Sequence, residues 1–398
     1  MQGPNWKDVY KEIKKLNIPK EYYGLDLESI GAYQWNIYLS IRETAGKTTS
    51  SIITGLVLNK LYPDHYTIEY IRNDASQITR GNVEDLFNTV ISFDYISKIY
   101  NGRWNSVRYH SQAKKFYLVK LDSEGSVLEE SDEPILILHS LEKYADYKSV
   151  YNNVKGNYIV FDEFMDTTRA TYGLFTELLN VVSTIGRPMS PGRTEWLRIL
   201  LLGNNTNQYS FWFDEFGISD DINNLKFGGS ITFNTEYGTT GICKLLEVGE
   251  TQKKRLTDKR IPFLGFPGKK AAAFTGATEW SGKTYKHISW DLNYDNCIFR
   301  RAYVNHRSRF IQLDIFKEEK RGIYVFAHFS NAPLKEDNII FTLDPLLNND
   351  VYGFGKYEKR KKINSITSIY TDLLRENRFY YSSNMAGALI DDFIKNIR

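Results

Sequence analysis

The sequence predicts an α/β protein built on a mainly parallel sheet, followed by a smaller α+β domain. Three observations carry that expectation. Short β-rich apolar runs alternate with helical stretches through the first half of the chain, the pattern of βα units. One such run leads through a short loop into Gly46-Lys47-Thr48-Thr49 at the start of a helical stretch. A later run ends on two adjacent carboxylates, Asp162 and Glu163.

Taken in order, the expected strands of the first half are 35–40, 66–71, 115–121, 134–138, 158–161 and 197–202. Each is rich in β-branched, aromatic and leucine residues and short enough for a single strand. Helical patterns at 48–61, 77–93 and 172–183 follow several of them. Parallel neighbours need such crossovers, so the alternation points to a parallel sheet. The sequence loosens at 203–207 and again at 217–224. This sets a first domain at 1–210, a linker region at 211–250 and a second domain at 251–398.

The second domain begins irregularly, with a basic stretch containing Gly and Pro over 251–282. Four β-rich segments follow at 285–290, 297–304, 310–316 and 322–329, spaced closely enough for an antiparallel meander. Helical stretches at 362–375 and 385–397 close the chain. There is no internal repeat.

Composition narrows the class. A chain of 398 residues exceeds the size at which one core usually stops growing, which favours two domains. Hydrophobic content of 42% and charged content of 25%, without low-complexity tracts, argue for packed cores over extensive disorder. No apolar run approaches the roughly 18–20 residues of a membrane span, and the first residues lack a secretory pattern. Cys243 and Cys297 are too few and too far apart for a disulfide framework or a thiolate zinc cage. A soluble, intracellular protein is expected. The charge divides unevenly: 28 Lys and Arg against 21 Asp and Glu in residues 216–398, a balance of +7, and 23 against 27 in residues 1–215, a balance of −4. A basic second half hints at a polyanion partner. Ordinary surface charge explains the same count.

The chemistry concentrates around Gly46. A phosphate site needs backbone N–H groups and a helix N-terminus aimed at the ligand, a lysine for the β- and γ-oxygens and a hydroxyl for Mg²⁺. Ser40, Arg42, Thr44, Ala45, Gly46, Lys47, Thr48 and Thr49 are the candidates to line such a loop for ATP, with Thr48 on Mg²⁺. The usual Gly-x4-Gly-Lys-[Ser/Thr] pattern would place glycine at position 41, where Ile41 stands. The loop alone is therefore a weak signal.

The carboxylate pair strengthens it. In a parallel sheet the carboxyl ends of strands face the ligand crevice. Asp162 is placed to hold Mg²⁺, and Glu163 to orient and deprotonate an attacking water. Together the two motifs predict a P-loop ATPase of the ASCE kind, whose sheet carries an additional strand and a catalytic glutamate. The run 197–202 then ends in Gly203-Asn204-Asn205. Asn204 and Asn205 fit a sensor of the γ-phosphate or the water; a buried strand ending in an Asn-rich turn reads equally well, and position after the carboxylates favours the sensor. For transition-state charge, Arg42 would act in cis, whereas Arg187 and Arg193, in a Gly/Pro-rich loop, would reach a neighbouring subunit. His110, His139 and His328 show no metal spacing and read as structural or surface groups.

These residues resemble the large-terminase family of viral DNA-packaging motors. The likeness lies in the arginine-containing loop ending in Gly46-Lys47-Thr48-Thr49, in Tyr70-Ile71-Arg72-Asn73-Asp74 after the next strand, and in the segment from Ile135 to Ser149 before the Asp-Glu strand. Asp162-Glu163-Phe164 and Gly203-Asn204-Asn205 bring it nearest the packaging ATPases of phi29-like tailed phages. The resemblance covers roughly residues 30–210. It implies ATP-driven translocation of double-stranded DNA into a viral procapsid, by a homo-oligomeric ring, a pentamer by analogy, docked on the portal or connector. A scaffold RNA is a further partner, and the place of action is the host cytoplasm, transiently on the procapsid. In such a ring an arginine of one subunit completes its neighbour's site, which favours Arg193 or Arg187.

By the same resemblance the second domain is RNase-H-like. A nuclease of that type needs carboxylates holding two metals about 4 Å apart. Asp291 follows the first expected strand and Asp391 and Asp392 lie on the last helix, but 322–329 offers no acid, and Asp314 and Glu318 do not clearly join Asp291. A vestigial nuclease that binds nucleic acid is expected, through Lys356, Lys359, Arg360, Lys361 and Lys362 with Arg300, Arg301, Arg307 and Arg309. The basic run reads as a solvated helix start with equal ease. Rival readings are a terminase with an active nuclease, another oligomeric nucleic-acid-dependent ATPase or helicase, and a non-enzymatic nucleic-acid or portal-binding module whose P-loop has decayed.

Overall fold

A computed structural model describes residues 3–19, 22–40, 46–143, 153, 155–165, 173–186, 195–205, 207–235, 238–247, 285–287, 292–331, 335, 338–343 and 365–397. Described residues up to 247 fall in one compact unit, and those from 285 onward in a second.

The first unit is organised by a nine-stranded sheet. Its strands are β1 Trp35–Ser40, β2 Ile68–Arg72, β3 Ser106–His110, β4 Lys115–Leu121, β5 Val127–Ser140, β6 Tyr158–Asp162, β7 Arg198–Asn204, β8 Ser230–Asn234 and β9 Thr240–Leu245, in the order β3-β4-β5-β2-β6-β7-β1-β9-β8. The six central strands from β5 to β9 pair in parallel, and antiparallel strands finish both edges. All residues of β1 and β6 are buried, as strands covered on both faces must be. Alternation then sorts their side chains. Tyr38, Leu200 and Leu202 pack with the helix Lys47–Leu61 and the amino-terminal helix Trp6–Lys15. Ile37, Leu39, Ile199 and Leu201 pack on the other face with the helix Leu174–Gly186 and Trp212.

The helix Lys47–Leu61 is buried on nearly every side from Ser50 to Leu58, so it shows no polar stripe. Gly55 lets it seat closely, because a Cβ there would lie 2.5 Å from Ile68 Cδ1.

Several expected boundaries move. The 77–93 helical pattern breaks into short α and 3₁₀ turns between Ala75 and Ile99; Gly81, Asn82 and Asn88 are weak helix formers there. β5 begins at Val127 instead of 134, because its acidic, exposed first half still pairs antiparallel with β4. The largest correction concerns the expected linker at 211–250. β9 pairs in parallel with β1, and β8 closes the sheet edge beside it. The alternating exposure of β8 shows why apolar content did not reveal a strand there.

The second unit is a five-stranded sheet of β10 Cys297–His306, β11 Arg309–Glu318, β12 Gly322–Phe329, β13 Ile339–Thr342 and β14 Phe379–Tyr381, in the order β13-β10-β11-β12-β14. β10, β11 and β12 form an antiparallel meander, while β13 joins β10 and β14 joins β12 in parallel. The helices Ser365–Arg375 and Asn384–Ile397 contribute Tyr370, Leu373, Leu389 and Phe393 to its core. The strand expected at 285–290 is described only over 285–287, where His287 bridges to Tyr381.

Candidate functional site

The carboxyl ends of β1, β2, β6 and β7 meet beside the amino end of the helix Lys47–Leu61. Register brings this about: Ser40 lies opposite Asn204, and Asp162 opposite Leu202. Gly46 caps the helix with φ of 56°, in the left-handed region. A Cβ on Gly46 would fall 2.6–2.7 Å from the backbone of Tyr22, so this position requires glycine for both conformation and space. The helix thus begins at Lys47 with its first backbone N–H groups unsatisfied by the helix itself.

Side chains from four elements converge there. Thr48 Oγ1 donates to Asp162 Oδ2 at 2.8 Å. Lys47 Nζ donates to Ser40 Oγ and lies 3.4 Å from Asn204 Oδ1. Asp162 is buried, and its other oxygen accepts the Glu163 backbone N–H at 3.0 Å. The structure brings Ser40, Gly46, Lys47, Thr48, Asp162, Glu163 and Asn204 into one region. Asn205 is adjacent, and its N–H donates to the Ser40 carbonyl at 3.1 Å. Arg42, Thr44, Ala45, Arg187 and Arg193 lie outside the described residues.

Three residues of the site escaped notice as functional groups. Tyr70 OH donates to Asp162 Oδ2 at 2.5 Å from a wholly buried position. Arg72 lies 3.4 Å from the same oxygen and also forms an ion pair with Glu163. Asn73 Nδ2 donates to the Glu163 carbonyl at 3.1 Å. Burial, then the Asp162 charge, raises the Tyr70 phenol well above its ordinary range, so it stays protonated as a donor. Burial opposes the Arg72 charge, but the Asp162 and Glu163 carboxylates beside it outweigh that and raise the guanidinium. The signal was available. Tyr70 and Arg72 are two residues apart at the end of an apolar strand, hence on one face of it.

Glu163 itself has φ of 56°. For a non-glycine residue the left-handed region costs about 1 kcal/mol. The Asn73 bond and the Arg72 ion pair hold it there. The chain turns immediately after Asp162, and the Glu163 side chain remains half-exposed while Asp162 is enclosed.

The second unit treats its acids differently. Asp314, fully buried, accepts from Gln312 Nε2 at 2.8 Å and lies 3.0 Å from His328 Nε2. Asp392 meets His306 Nε2 at 2.7 Å and Arg307 at 2.5 Å, and Asp391 accepts from Tyr285 OH at 2.9 Å. Glu318 accepts from Tyr324 OH at 2.5 Å. Among the described residues no group of three or more His, Cys, Asp or Glu side chains could hold a metal ion. Asp291 lies outside them, as do Lys356, Lys359, Arg360, Lys361 and Lys362. Arg300 and Arg301 are exposed on β10, with Arg300 over the Tyr294 ring. Burial, then Asp314, pushes the Cys297 thiol up to about 11, so it is no ready nucleophile near neutral pH. His110, His139, His306 and His328 are partners to carboxylates, whereas His65 stacks on Trp196 and His287 meets Asn384 Oδ1. His139 reaches the buried Glu69 at 2.6 Å, and His110 reaches Glu130 at 3.0 Å.

No family model matches the chain, and no curated protein matches it by sequence. Solved structures do. The phi28 gp11 DNA packaging motor superposes with a TM-score of 0.54 at 15% identity, covering 96% of this chain and 99% of that one. The packaging motor assembly of bacteriophage phi29 gives 0.55 at 14% identity, covering 95% and 100%. At such identities the likeness establishes a shared fold along nearly the whole chain.

Proposed function

We propose that this protein is an ATP-hydrolysing motor that moves double-stranded DNA into a viral procapsid. The observation that carries the reading is the convergence of Lys47, Thr48, Asp162 and Asn204 on the amino end of one helix, at the carboxyl edge of a parallel sheet. The helix N-terminus and Lys47 bind the phosphates of ATP. Thr48 and Asp162 offer the hard oxygen donors that Mg²⁺ takes, already 2.8 Å apart. When bound, the ion neutralises charge on the phosphate oxygens.

The chain's own groups do the rest. Asn204 orients the γ-phosphate or the attacking water. Glu163 takes the water's proton, which requires it to leave Arg72, since the ion pair occupies the carboxylate that must face the water. The Asp162–Tyr70 bond keeps the neighbouring carboxylate fixed while Glu163 moves. Arg193 or Arg187 of an adjacent subunit, or Arg42 in cis, adds the transition-state cation. Shared sites of that kind call for a homo-oligomeric ring, a pentamer by analogy, seated on the portal of a procapsid in the host cytoplasm, with a scaffold RNA as a further partner.

A working nuclease is not favoured. Asp314, Asp391 and Asp392 are held by Gln, His, Tyr and Arg partners, which supports a nucleic-acid-binding domain that does not cut. The test of the whole reading is DNA-stimulated ATP hydrolysis. Lys47→Ala and Glu163→Gln should each abolish it, and duplex DNA should stimulate more than single strands. Hydrolysis that survives both substitutions would sink the motor reading. Mixing Arg193→Ala protein with Lys47→Ala protein should restore activity if sites are shared between subunits.

A further inference from the structure

The helix Trp6–Lys15 takes no part in the nucleotide site, yet four of its ten residues are lysine. Val9 and Ile13 turn inward and are buried. Lys7, Lys11 and Lys14 stand at i, i+4 and i+7, an outward stripe on the opposite side, and Lys15 lies beside it. All four are exposed, over a length of about 12 Å from Lys7 to Lys15.

Local helix physics accounts for only part of this. Lys14 and Lys15 complement the negative carboxyl end of the helix dipole. Lys7 sits in the first turn, where a cation is unfavourable, and Lys11 is mid-helix. Among the described residues neither acid of the helix, Asp8 or Glu12, forms an ion pair with Lys7, Lys11 or Lys14. Glu12 pairs with both Lys15 and Lys60, so one negative charge serves two cations. Asp8 accepts from Asn5 at 2.8 Å. Lys15, Lys60 and Lys98 border a cavity that Glu12, Leu16, Val57, Ile99 and Asn101 also line. Three separate elements thus bring lysines to the cavity beside the stripe. Asp122, Glu124, Glu129, Glu130, Asp132 and Glu133 cluster on the β4–β5 hairpin, while Asp26 and Glu28 border a cavity that Lys14 helps to line.

We propose that this lysine face docks the phosphate backbone of double-stranded DNA. The proposal rests on the DNA-moving function above and gives the ATPase unit its own grip on the substrate. Lysines are point charges suited to phosphates and carry no bidentate base readout. A row of them supplies the sequence-independent hold that a motor needs on DNA of any sequence.

The test is equilibrium binding of the full chain to a short fluorescent DNA duplex of mixed sequence, by anisotropy, without nucleotide and across a salt series. Each phosphate contact contributes about 0.9 to the slope of log K against log salt. A Lys7→Gln/Lys11→Gln/Lys14→Gln protein should lose up to about 2.7 from that slope and bind about tenfold or more weakly at low salt. The matching Lys→Arg triple should keep both, and neither should change basal ATP hydrolysis. An unchanged slope and affinity in the glutamine triple overturns the proposal. So does weakened binding of an RNA duplex with DNA binding intact, which would assign the face to an RNA partner. Should the parent chain hydrolyse no ATP while the slope still falls, the motor reading fails and the docking face stands.

Discussion

Two sets of carboxylates, one in each unit, stand in different surroundings. Asp162 and Glu163 stand at a strand end beside a helix N-terminus, a lysine and a threonine hydroxyl, and Glu163 remains half-exposed. Asp314, Asp391 and Asp392 lie on a strand and a terminal helix, where histidine, arginine, glutamine or tyrosine donors hold them. The residue type is the same. Donors hold both sets; what differs is that the first pair stands at a sheet's carboxyl edge beside a helix N-terminus, with Glu163 half-exposed, whereas Asp314 is fully buried.

The sharpest way to break this contrast is through activity. Glu163→Gln keeps the shape and the Asn73 contact but removes the proposed base, and loss of a general base costs about 10²–10⁴ in rate. ATP hydrolysis by that protein should fall into this range or below detection, while Asp392→Asn should hydrolyse ATP like the parent. Steady-state phosphate release checks both. Equal losses would mean that the two acids are not divided as described.

In alkali the two units should behave alike. Burial raises the phenols of Tyr23, Tyr38, Tyr66, Tyr70, Tyr100 and Tyr158 in the first unit, and of Tyr285, Tyr370 and Tyr381 in the second. A phenol raised in the folded state contributes stability that is fully present below its unfolded value near 10 and is lost as pH rises toward the folded value. Denaturant midpoints should therefore hold steady through neutral pH and drop above about pH 10. A midpoint that rises there would contradict the burial of these rings.

Stability should separate the units again. Asp314→Ala leaves His328 and Gln312 buried without their acceptor, at a cost of about 1–3 kcal/mol. Thermal unfolding should show the second unit melting earlier and ATP binding unchanged. Unchanged melting would mean that Asp314 is not the hub of that pair of bonds.

Much of the candidate site was legible because its signals are local. Gly46-Lys47-Thr48 and an apolar run ending in Asp162-Glu163 report strand ends and a helix start directly, since covered parallel strands must be continuously apolar. Partners across the sheet were harder to read. Tyr70 and Arg72 reach Asp162 only because β2 lies beside β6, and strand order is not written in either segment. β8 and β9 were taken for a linker for a related reason. β8, at the sheet edge, alternates in exposure and carries little apolar signal of its own, and mostly buried β9 joins the sheet only through its pairing with β1. Acids in the second unit looked like scattered metal candidates. Only the fold shows that His306, Arg307 and His328 are already bonded to them.

The finest test concerns the contact that joins β2 to the reactive carboxylates. Tyr70→Phe keeps the ring in the core and removes one donor from Asp162 Oδ2, leaving Thr48 and Arg72 in place. A single hydrogen bond of this kind is worth about 1 kcal/mol, so the protein should fold with a slightly lower melting temperature. If Tyr70 only packs, nothing else should change. If it fixes the carboxylate that meets the metal, the Mg²⁺ concentration needed for tight binding of a fluorescent ADP analogue should rise several-fold, while binding without Mg²⁺ stays the same. A loss that is equal with and without Mg²⁺ would assign Tyr70 to the core alone and leave Asp162 to be positioned by Thr48 and the Glu163 backbone.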